Sequence, residues 1–435
     1  MPEVFIIHVG SLNNKGTKAL LRTDISLIDE ILGEGVKLSV SGTDVKGLKL
    51  LVKSSSIFPT MVNVPFEVAD FFAMKSRFAR DSWSYKIFAL GSLIMMPVQM
   101  LLSAFSATLL KIGLRPFYRS KLLERMKNCN IIISCSDENF KEGVSLLSSN
   151  AYWVLTWWTL LLSRTWDVLI AKFLGKPLIM FPNSVGSFRT LVGRILARLA
   201  LSRFDCILVR EQKSYDILDS MGIQSPKILT ADITLLMNAT SKASIGDLKR
   251  PIIGVCVGVY SHTLSERQTC KFIQDIAEAL DETVEKHGFS VVFLPHYVSG
   301  FRYDDLEVTQ LVFSRMRTKT RAKIINTLNV EDFKCFLSQT DLVLSSKMHP
   351  AVLAVGSFVP AVCIAYDDKQ IGFFTQLGMT DCLLPINDVS KENLESKIDY
   401  VWARKAAIKA NLQRRIPVLQ ANIKEALKRV LSAFT

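Results

Sequence analysis

The sequence predicts an α/β protein made of two Rossmann-like domains. Three observations predict it. Short, β-rich apolar runs alternate with helix-length segments along most of the chain. The alternation restarts after a polar stretch near the middle. And 435 residues, 49% of them hydrophobic, are more than one ordinary core accommodates. Strands separated by helices form parallel sheets with helices on both faces.

The first strand is the run VFIIHVG over 4–10, which leads through SLNNK into a segment of helical periodicity, GTKALLRTDISLIDEIL. KLSVSG follows as a strand. Later strands are IIISCS (131–136), LIMFPNS (178–184) and CILVRE (206–211). The stretch NATSKASIGDLKR (238–250) is polar and holds Gly, Ser and Asn, which places a linker there. Beyond it PIIGVCVG is a strand, SERQTCKFIQDIAEALDETVEKHG an amphipathic helix ending in Gly, and FSVVFLPHY, LVLSS and AVCIAYD further strands. The domains expected are 1–240 and 250–400, followed by a basic helix over 401–435 broken at Pro417. Two Rossmann-like halves facing a cleft are the GT-B type of architecture, with ligand at the carboxyl ends of the strands.

An apolar insert interrupts the first domain over about 83–166. Residues 87–110 carry no charge over 24 positions, long enough to span a bilayer, and 143–163 carry none over 21. Five of the six Trp fall between 83 and 166, and Lys111, Arg115, Arg119, Lys121, Arg125 and Lys127 follow the first segment. Topology argues against a span: the strands at 4–10 and 131–136 would then lie on opposite sides of the membrane and could not share a sheet. A monotopic hairpin in the interface and a helical insert buried against protein both remain open.

The net charge of +13 suits an anionic partner, whether a phosphorylated substrate or an anionic membrane surface. Nucleic acid is disfavoured, since no recognition-helix or RNP-type motif accompanies the charge. The eight cysteines form no CxxC pair and sit in or beside apolar runs, so they read as reduced core residues, with no metal site expected. The opening MPEVFIIHVG has no basic n-region or cleavage site and reads as a strand, giving a cytoplasmic expectation.

Three stretches can carry chemistry. In LVLSSKMHPAVLAVG a strand ends at Ser346 and a helix starts near Pro350, with Ser346 placed to cap it. Lys347 and His349 then sit at a helix N-terminus, where unpaired N–H groups and the dipole favour a phosphate or carboxylate. In FDCILVREQKSYDIL a strand delivers Arg210 and Glu211 to its carboxyl end, where Arg can grip a carboxylate or phosphate. The bland alternative is an Arg–Glu surface pair. The opening loop GSLNNKGTKAL joins strand to helix, and Gly16 lets backbone approach a ligand, although the loop matches neither GxGxxG nor a P-loop.

These stretches, in this order, resemble the polysaccharide pyruvyl transferase family. Gly10, Asn14, Gly16 and Ala19 lie on its G-x-x-N-x-G-D-x-A opening, with Thr17 where Asp is usual. SVG (184–186) matches its S-x-G turn, LVREQKSYDIL its vRe..S...L segment, and ADITLL its Asp-containing segment at Asp232. Ser346, His349, Pro360, Tyr366 and Lys369 fall in register with its S-x-R-L-H … P … Y-x-x-K segment. Lys347 replaces the family's Arg, which keeps charge and loses bidentate geometry, and SCSDEN (134–139) stands where many members have a glycine-rich stretch.

The resemblance implies transfer of a pyruvyl group from phosphoenolpyruvate to hydroxyls of a cell-surface or lipid-linked glycan, forming a pyruvate ketal, with no cofactor. It implies His349, Asp232 and Glu211 as catalytic residues, and Arg210, Lys347, Ser346, Asn14, Gly16, Tyr366 and Lys369 as substrate-binding ones. The basic, Trp-rich insert would hold the enzyme on the cytosolic membrane face through 87–110 and 143–163. Rival readings are a GT-B glycosyltransferase using a nucleotide sugar and a non-catalytic glycan- or membrane-binding relative.

Overall fold

A computed structural model describes residues 2–33, 35–52, 56–63, 83–142, 151–238, 241–259, 264–300, 304–327 and 329–434. They group into two units, the first taking 1–12, 20–230 and 423–435, the second 13–19 and 231–422. The chain therefore changes unit at 230–231, ahead of the polar stretch 238–250, and the opening loop belongs to the second unit.

The first unit contains β1 (Glu3–Val9), α1 (Lys15–Leu32, its first turn counted with the second unit), β2 (Lys37–Gly42), α2 (Val45–Leu51), β3 (Ser56–Pro59), α3 (Trp83–Lys111), α4 (Ser120–Asn128), β4 (Ile131–Ser134), α5 (Ala151–Phe173), β5 (Leu178–Asn183), α6 (Leu191–Leu201), β6 (Cys206–Val209), α7 (Gln212–Ser220) and β7 (Lys227–Leu229). The strands form one parallel sheet in the order β3-β2-β1-β4-β5-β6-β7. Residues such as Phe5, Ile6, Ile132, Ile133 and Ile179 are fully buried, as expected where helices cover both faces and strands read as unbroken apolar runs. The strand order reverses between β1 and β4. There Ile7 stands opposite Ser134, which sets His8 at the carboxyl edge of the sheet.

The insert is helical. On α3, Met96, Ser103, Ser106 and Ala107 are buried, and Ser103 accepts a 2.8 Å hydrogen bond from the Trp166 indole of α5. Met96, Ala107 and Leu161 join the core of the unit. Ile87, Leu90, Ile94, Val98, Leu101 and Phe105, spaced three and four apart, are all exposed. Leu90–Lys111 is long and apolar enough to cross a membrane by length and composition, yet 28% of it is buried in protein. In the second segment, 143–150 lie outside the described residues, and the remainder forms the start of α5.

The second unit contains β8 (Ile252–Cys256), α8 (Glu266–His287), β9 (Ser290–Phe293), α9 (Asp305–Arg315), β10 (Ala322–Ile324), α10 (Val330–Ser338), β11 (Leu342–Ser345), α11 (Met348–Val355), β12 (Ala361–Ala365), α12 (Asp368–Gln376), β13 (Leu383–Pro385), α13 (Lys391–Ala403) and most of α14 (Lys405–Phe434). Its parallel sheet runs β10-β9-β8-β11-β12-β13 and reverses between β8 and β11. Local chemistry fixes the ends of α8: Ser265 and Gln268 make a reciprocal capping box, and Gly288 takes the left-handed φ of 71° that ends the helix. The break expected at Pro417 does not occur, for α14 runs through it. Proline removes one helical N–H, but Ile408, Leu412, Ile416, Ile423, Leu427 and Leu431 recur at helical spacing and are buried, so packing holds the helix together. All eight cysteines are free, and all but Cys270 are buried.

Candidate functional site

In the second unit the switch point between β8 and β11 collects the motif residues. Such crevices, outside the carboxyl ends of parallel strands, are where open α/β sheets bind ligands. β11 ends at Ser345, and Lys347 is the N-cap residue of α11. Ser345, not Ser346, fastens this turn. Its hydroxyl donates to the Lys347 carbonyl at 2.7 Å and accepts from the Lys347 N–H at 3.0 Å. The Ser346 hydroxyl is instead tied to the loop after β8, donating to the Gly258 carbonyl at 2.8 Å and accepting from its N–H at 2.9 Å.

Lys347 is buried and pairs with Asp305 at 3.1 Å. Asp305 also accepts from the Tyr297 N–H at 2.8 Å, and burial pushes its carboxyl pKa up against the opposing pull of Lys347. His349 approaches Asp232 at 3.9 Å, too far for a hydrogen bond. Asp232 is held by the backbone N–H and hydroxyl of Thr234 at 3.0 and 2.5 Å. The opening loop enters the same place. Asn14 makes a bridge to Tyr297 and its side chain accepts from the Gly16 N–H at 2.8 Å. A methyl group on Gly16 would overlap the His349 ring, and one on Gly258 would overlap Asp305 and Lys347. Only hydrogen fits at either position.

Two residues of this site carried no weight in the sequence. Lys15 is buried, and its ammonium donates to the carbonyls of Pro295 at 2.8 Å and His296 at 3.3 Å. Burial lowers its pKa to about 8. His296 is buried, stacks on His349 with centroids 6.1 Å apart, and has no hydrogen-bond partner at Nε2. Its pKa is held well below the usual value by burial first, then by the positive field of His349, Lys15, Lys347 and Lys369. The sequence signal for both was slight: a Lys between Asn14 and Gly16, and a His three residues past a buried strand. Tyr366 and Lys369 flank the start of α12, the ammonium lying 5.6 Å from the Tyr366 ring centroid. The ammonium groups of Lys15, Lys347 and Lys369 lie around these imidazoles, in the field that depresses His296, an arrangement suited to a small anion.

Arg210 and Glu211 lie in the first unit, past the end of β6. Neither is a surface residue. Arg210 donates through Nε to the Ser184 hydroxyl at 2.7 Å and stands 3.7 Å from the Glu211 carboxylate. Glu211 accepts from Ser184 at 3.0 Å and from Ser214, whose hydroxyl also accepts the Val185 N–H at 2.7 Å. This network joins the S-x-G turn to the vRe..S segment. Burial raises the Glu211 pKa to about 7, while Arg210 opposes the rise. Among the described residues no group of three or more His, Cys, Asp or Glu is arranged to hold a metal ion.

Two parallel-sheet α/β units, each with its strand order reversing at the centre, define a GT-B-like protein. Solved structures of that fold agree. UDP-GlcNAc 2-epimerase from Methanocaldococcus jannaschii is 13% identical with a TM-score of 0.58, all of both chains being covered. Anabaena Alr3699/HepE in complex with UDP-glucose is 13% identical with a TM-score of 0.57, covering 99% of this chain and 100% of that one. The chain belongs to the polysaccharide pyruvyl transferase family, whose model matches residues 63–368. The match includes Arg210, Glu211, Asp232, Ser346, Lys347, His349 and Tyr366, while Asn14, Gly16 and Lys369 lie outside it. A curated relative, the amylovoran biosynthesis protein AmsJ of Erwinia amylovora, is 20% identical over 262 residues, which are 57% of this chain and 63% of that protein. The chain thus spans less than two thirds of that relative's length.

Proposed function

We propose that the chain transfers a pyruvyl group from phosphoenolpyruvate to hydroxyls of a glycan. The observation that supports this best is the cluster of buried cationic side chains in the second unit, packed so closely on Gly16 and Gly258 that no β-carbon fits at either. Phosphoenolpyruvate carries a phosphate and a carboxylate on one enol carbon. Lys347, Lys15 and Lys369 supply the opposing charge, and His349 the hydrogen bond or proton. Ser346, Asn14, Gly16 and Tyr366 shape the walls.

The reaction balances with no cofactor. An acid, assigned to His349, protonates the methylene carbon. A glycan hydroxyl attacks the resulting cationic carbon and gives its proton to a carboxylate, assigned to Asp232. The C–O bond to phosphate then breaks, a neighbouring hydroxyl attacks the same carbon to close the ketal, and its proton leaves with the inorganic phosphate. Arg210 is the first unit's candidate for gripping an anion. Its bonds to Ser184 and Glu211 give it a supporting role to be separated from a binding one.

The proposal extends to location: the outward apolar face of α3, with exposed Lys111, Arg115 and Lys121 beyond it, rests on a cytosolic membrane surface and brings the enzyme to a lipid-linked acceptor. The test of the chemistry is thermal shift and phosphate release with phosphoenolpyruvate, beside His349→Ala, Lys347→Ala and Arg210→Ala. A ligand-induced rise in Tm that both second-unit variants abolish supports the reading. A rise produced by UDP-sugars and not by phosphoenolpyruvate overturns it.

A further inference from the structure

The first unit has a switch point of its own, between β1 and β4, and its polar contents are unaccounted for by the donor site. His8 follows Ile7 in β1 with φ of 67°, a left-handed conformation uncommon for a non-glycine residue. It is buried, and so are Ser134, Asn139 and Asp167 around it. His8 Nδ1 lies 2.9 Å from the Ser134 hydroxyl. The Asn139 amide donates to that hydroxyl at 3.3 Å and to the Cys135 carbonyl at 2.6 Å. His8 Nε2 faces Asp167 at 3.8 Å, outside hydrogen-bonding distance. Burial, and then the charge of Arg164, hold the His8 pKa well below the usual value against the opposing pull of the Arg164 backbone, and no group meets Nε2 with hydrogen-bond geometry.

The cluster is therefore incomplete in a specific way. His8 Nε2, Asp167 Oδ1 and Asn139 Oδ1 are all buried without a hydrogen-bond partner. Burying such a group with nothing to meet it is costly, and native structures keep few of them. His8 and Asp167 face each other and Asn139 joins them through Ser134, at the carboxyl end of the sheet, where open α/β sheets bind ligands. The chemistry of the ligand follows from the groups. Two carboxamide or carboxylate oxygens call for donors, and one imidazole nitrogen accepts or returns a proton. Neighbouring hydroxyls of a sugar supply both functions, whereas an anion would meet the two oxygens unfavourably. Ser134 and Asn139 both belong to the stretch SCSDEN (134–139), which follows β4 at the switch point.

We propose that His8, Asp167, Ser134 and Asn139 form a binding site for a pair of hexose hydroxyls. The inference takes from the proposed function only that a glycan must be held, and nothing about the donor.

Saturation-transfer NMR on the full chain, without phosphoenolpyruvate, tests it with methyl glucoside, methyl galactoside and N-acetylglucosamine as probes. At least one should receive saturation, and Asp167→Asn and His8→Asn should each weaken it fivefold or more. Asparagine is chosen at 8 because it tolerates the left-handed backbone best. Both variants should keep any thermal shift that phosphoenolpyruvate gives the wild type. Ser134→Ala removes one hydroxyl and serves if either variant unfolds. Binding of a hexoside at wild-type strength in the folded variants overturns the proposal. So does failure of every probe to bind, which would leave buried water as the occupant. If a hexoside binds as expected and phosphoenolpyruvate does nothing, the donor assignment fails and this site stands.

Discussion

Gly16 lies so close to His349 that a β-carbon on it would come within 3.0 Å of the Nδ1, Cγ and Cε1 atoms of the imidazole. The opening loop and the helix start after β11 are thus fitted to each other. Gly16→Ala should displace the ring and weaken phosphoenolpyruvate about tenfold or more, roughly 1.4 kcal/mol. His349→Ala removes the obstacle, so the double variant should bind no worse than His349→Ala alone. Isothermal titration of the four proteins measures the cycle. Independent, additive losses would show that the two residues do not share a site.

Gly258 makes the same argument on the other wall. A side chain there would strike Asp305 and Lys347, the ion pair that sets the lysine's position. Gly258→Ala should lower affinity for phosphoenolpyruvate by a similar factor. Asp305→Asn should do less, because it keeps the shape and leaves Lys347 its charge. Equal affinity of wild type and Gly258→Ala would remove Lys347 from the donor site.

Lys15 gives the site a pH dependence. Its pKa is about 8 against an ordinary 10.5, because burial disfavours the charged form. Between those values the unfolded chain binds the extra proton, so this group makes the unliganded protein more stable as pH rises from about 8 to 10.5. Affinity for an anion runs the other way, since the ammonium is lost above about pH 8. Phosphoenolpyruvate binding should therefore weaken from pH 7.5 to 9.5, and Lys15→Met should flatten that slope. A slope unchanged in the variant would assign the titration elsewhere.

Much of this was legible in the sequence, and the reasons are physical. Strands buried on both faces, such as IIIS at 131–134 and LVLS at 342–345, announce themselves as unbroken apolar runs. The edge strands β3, β7, β10 and β13 are three or four residues long, and β7 and β10 contain Lys227 and Lys323, so no period marks them. Lys347 and His349 stood out because a strand end and a proline-marked helix start locate them along the chain. Lys15 and His296 did not, because their meeting joins segments some 280 residues apart. The exposed Arg–Glu pair that was one reading of Arg210 and Glu211 is excluded by their burial, which depends on the S-x-G turn folding over them.

Arg210 is a buried cation whose carboxylate neighbour titrates near neutrality. Removing one member of a buried pair typically costs about 3–5 kcal/mol, so Arg210→Ala should lower Tm substantially without any ligand. Glu211 has a pKa of about 7 against an ordinary 4.5, raised by burial. The native state therefore binds more protons between those values, and this group makes the protein less stable as pH rises from about 4.5 to 7. At pH 5.5 Glu211 is neutral and Arg210 has less to stabilise. The loss of Tm in Arg210→Ala should accordingly be smaller at pH 5.5 than at 7.5. Calorimetry at both values decides, and equal losses would separate the two residues energetically.

The membrane proposal turns on α3 being apolar all round. One face packs on the protein through Met96, Ala107 and Leu110, so deleting the segment would damage the core and test nothing about lipid. The other face exposes Leu101 at 71% and Phe105 at 57%, Phe105 meeting the equally exposed Phe117 ring at 5.9 Å, so substitution there leaves the core intact. Vesicles of neutral lipid, and of the same lipid with anionic phosphatidylglycerol, should both sediment the wild type, the anionic ones more strongly at low salt. Leu101→Glu with Phe105→Glu should abolish sedimentation with Tm nearly unchanged. Partition that the double variant leaves unaltered would exclude α3 as the contact. A shift from dimer to monomer in that variant, without any vesicle binding by the wild type, would show that a second copy of the chain covers the stripe instead.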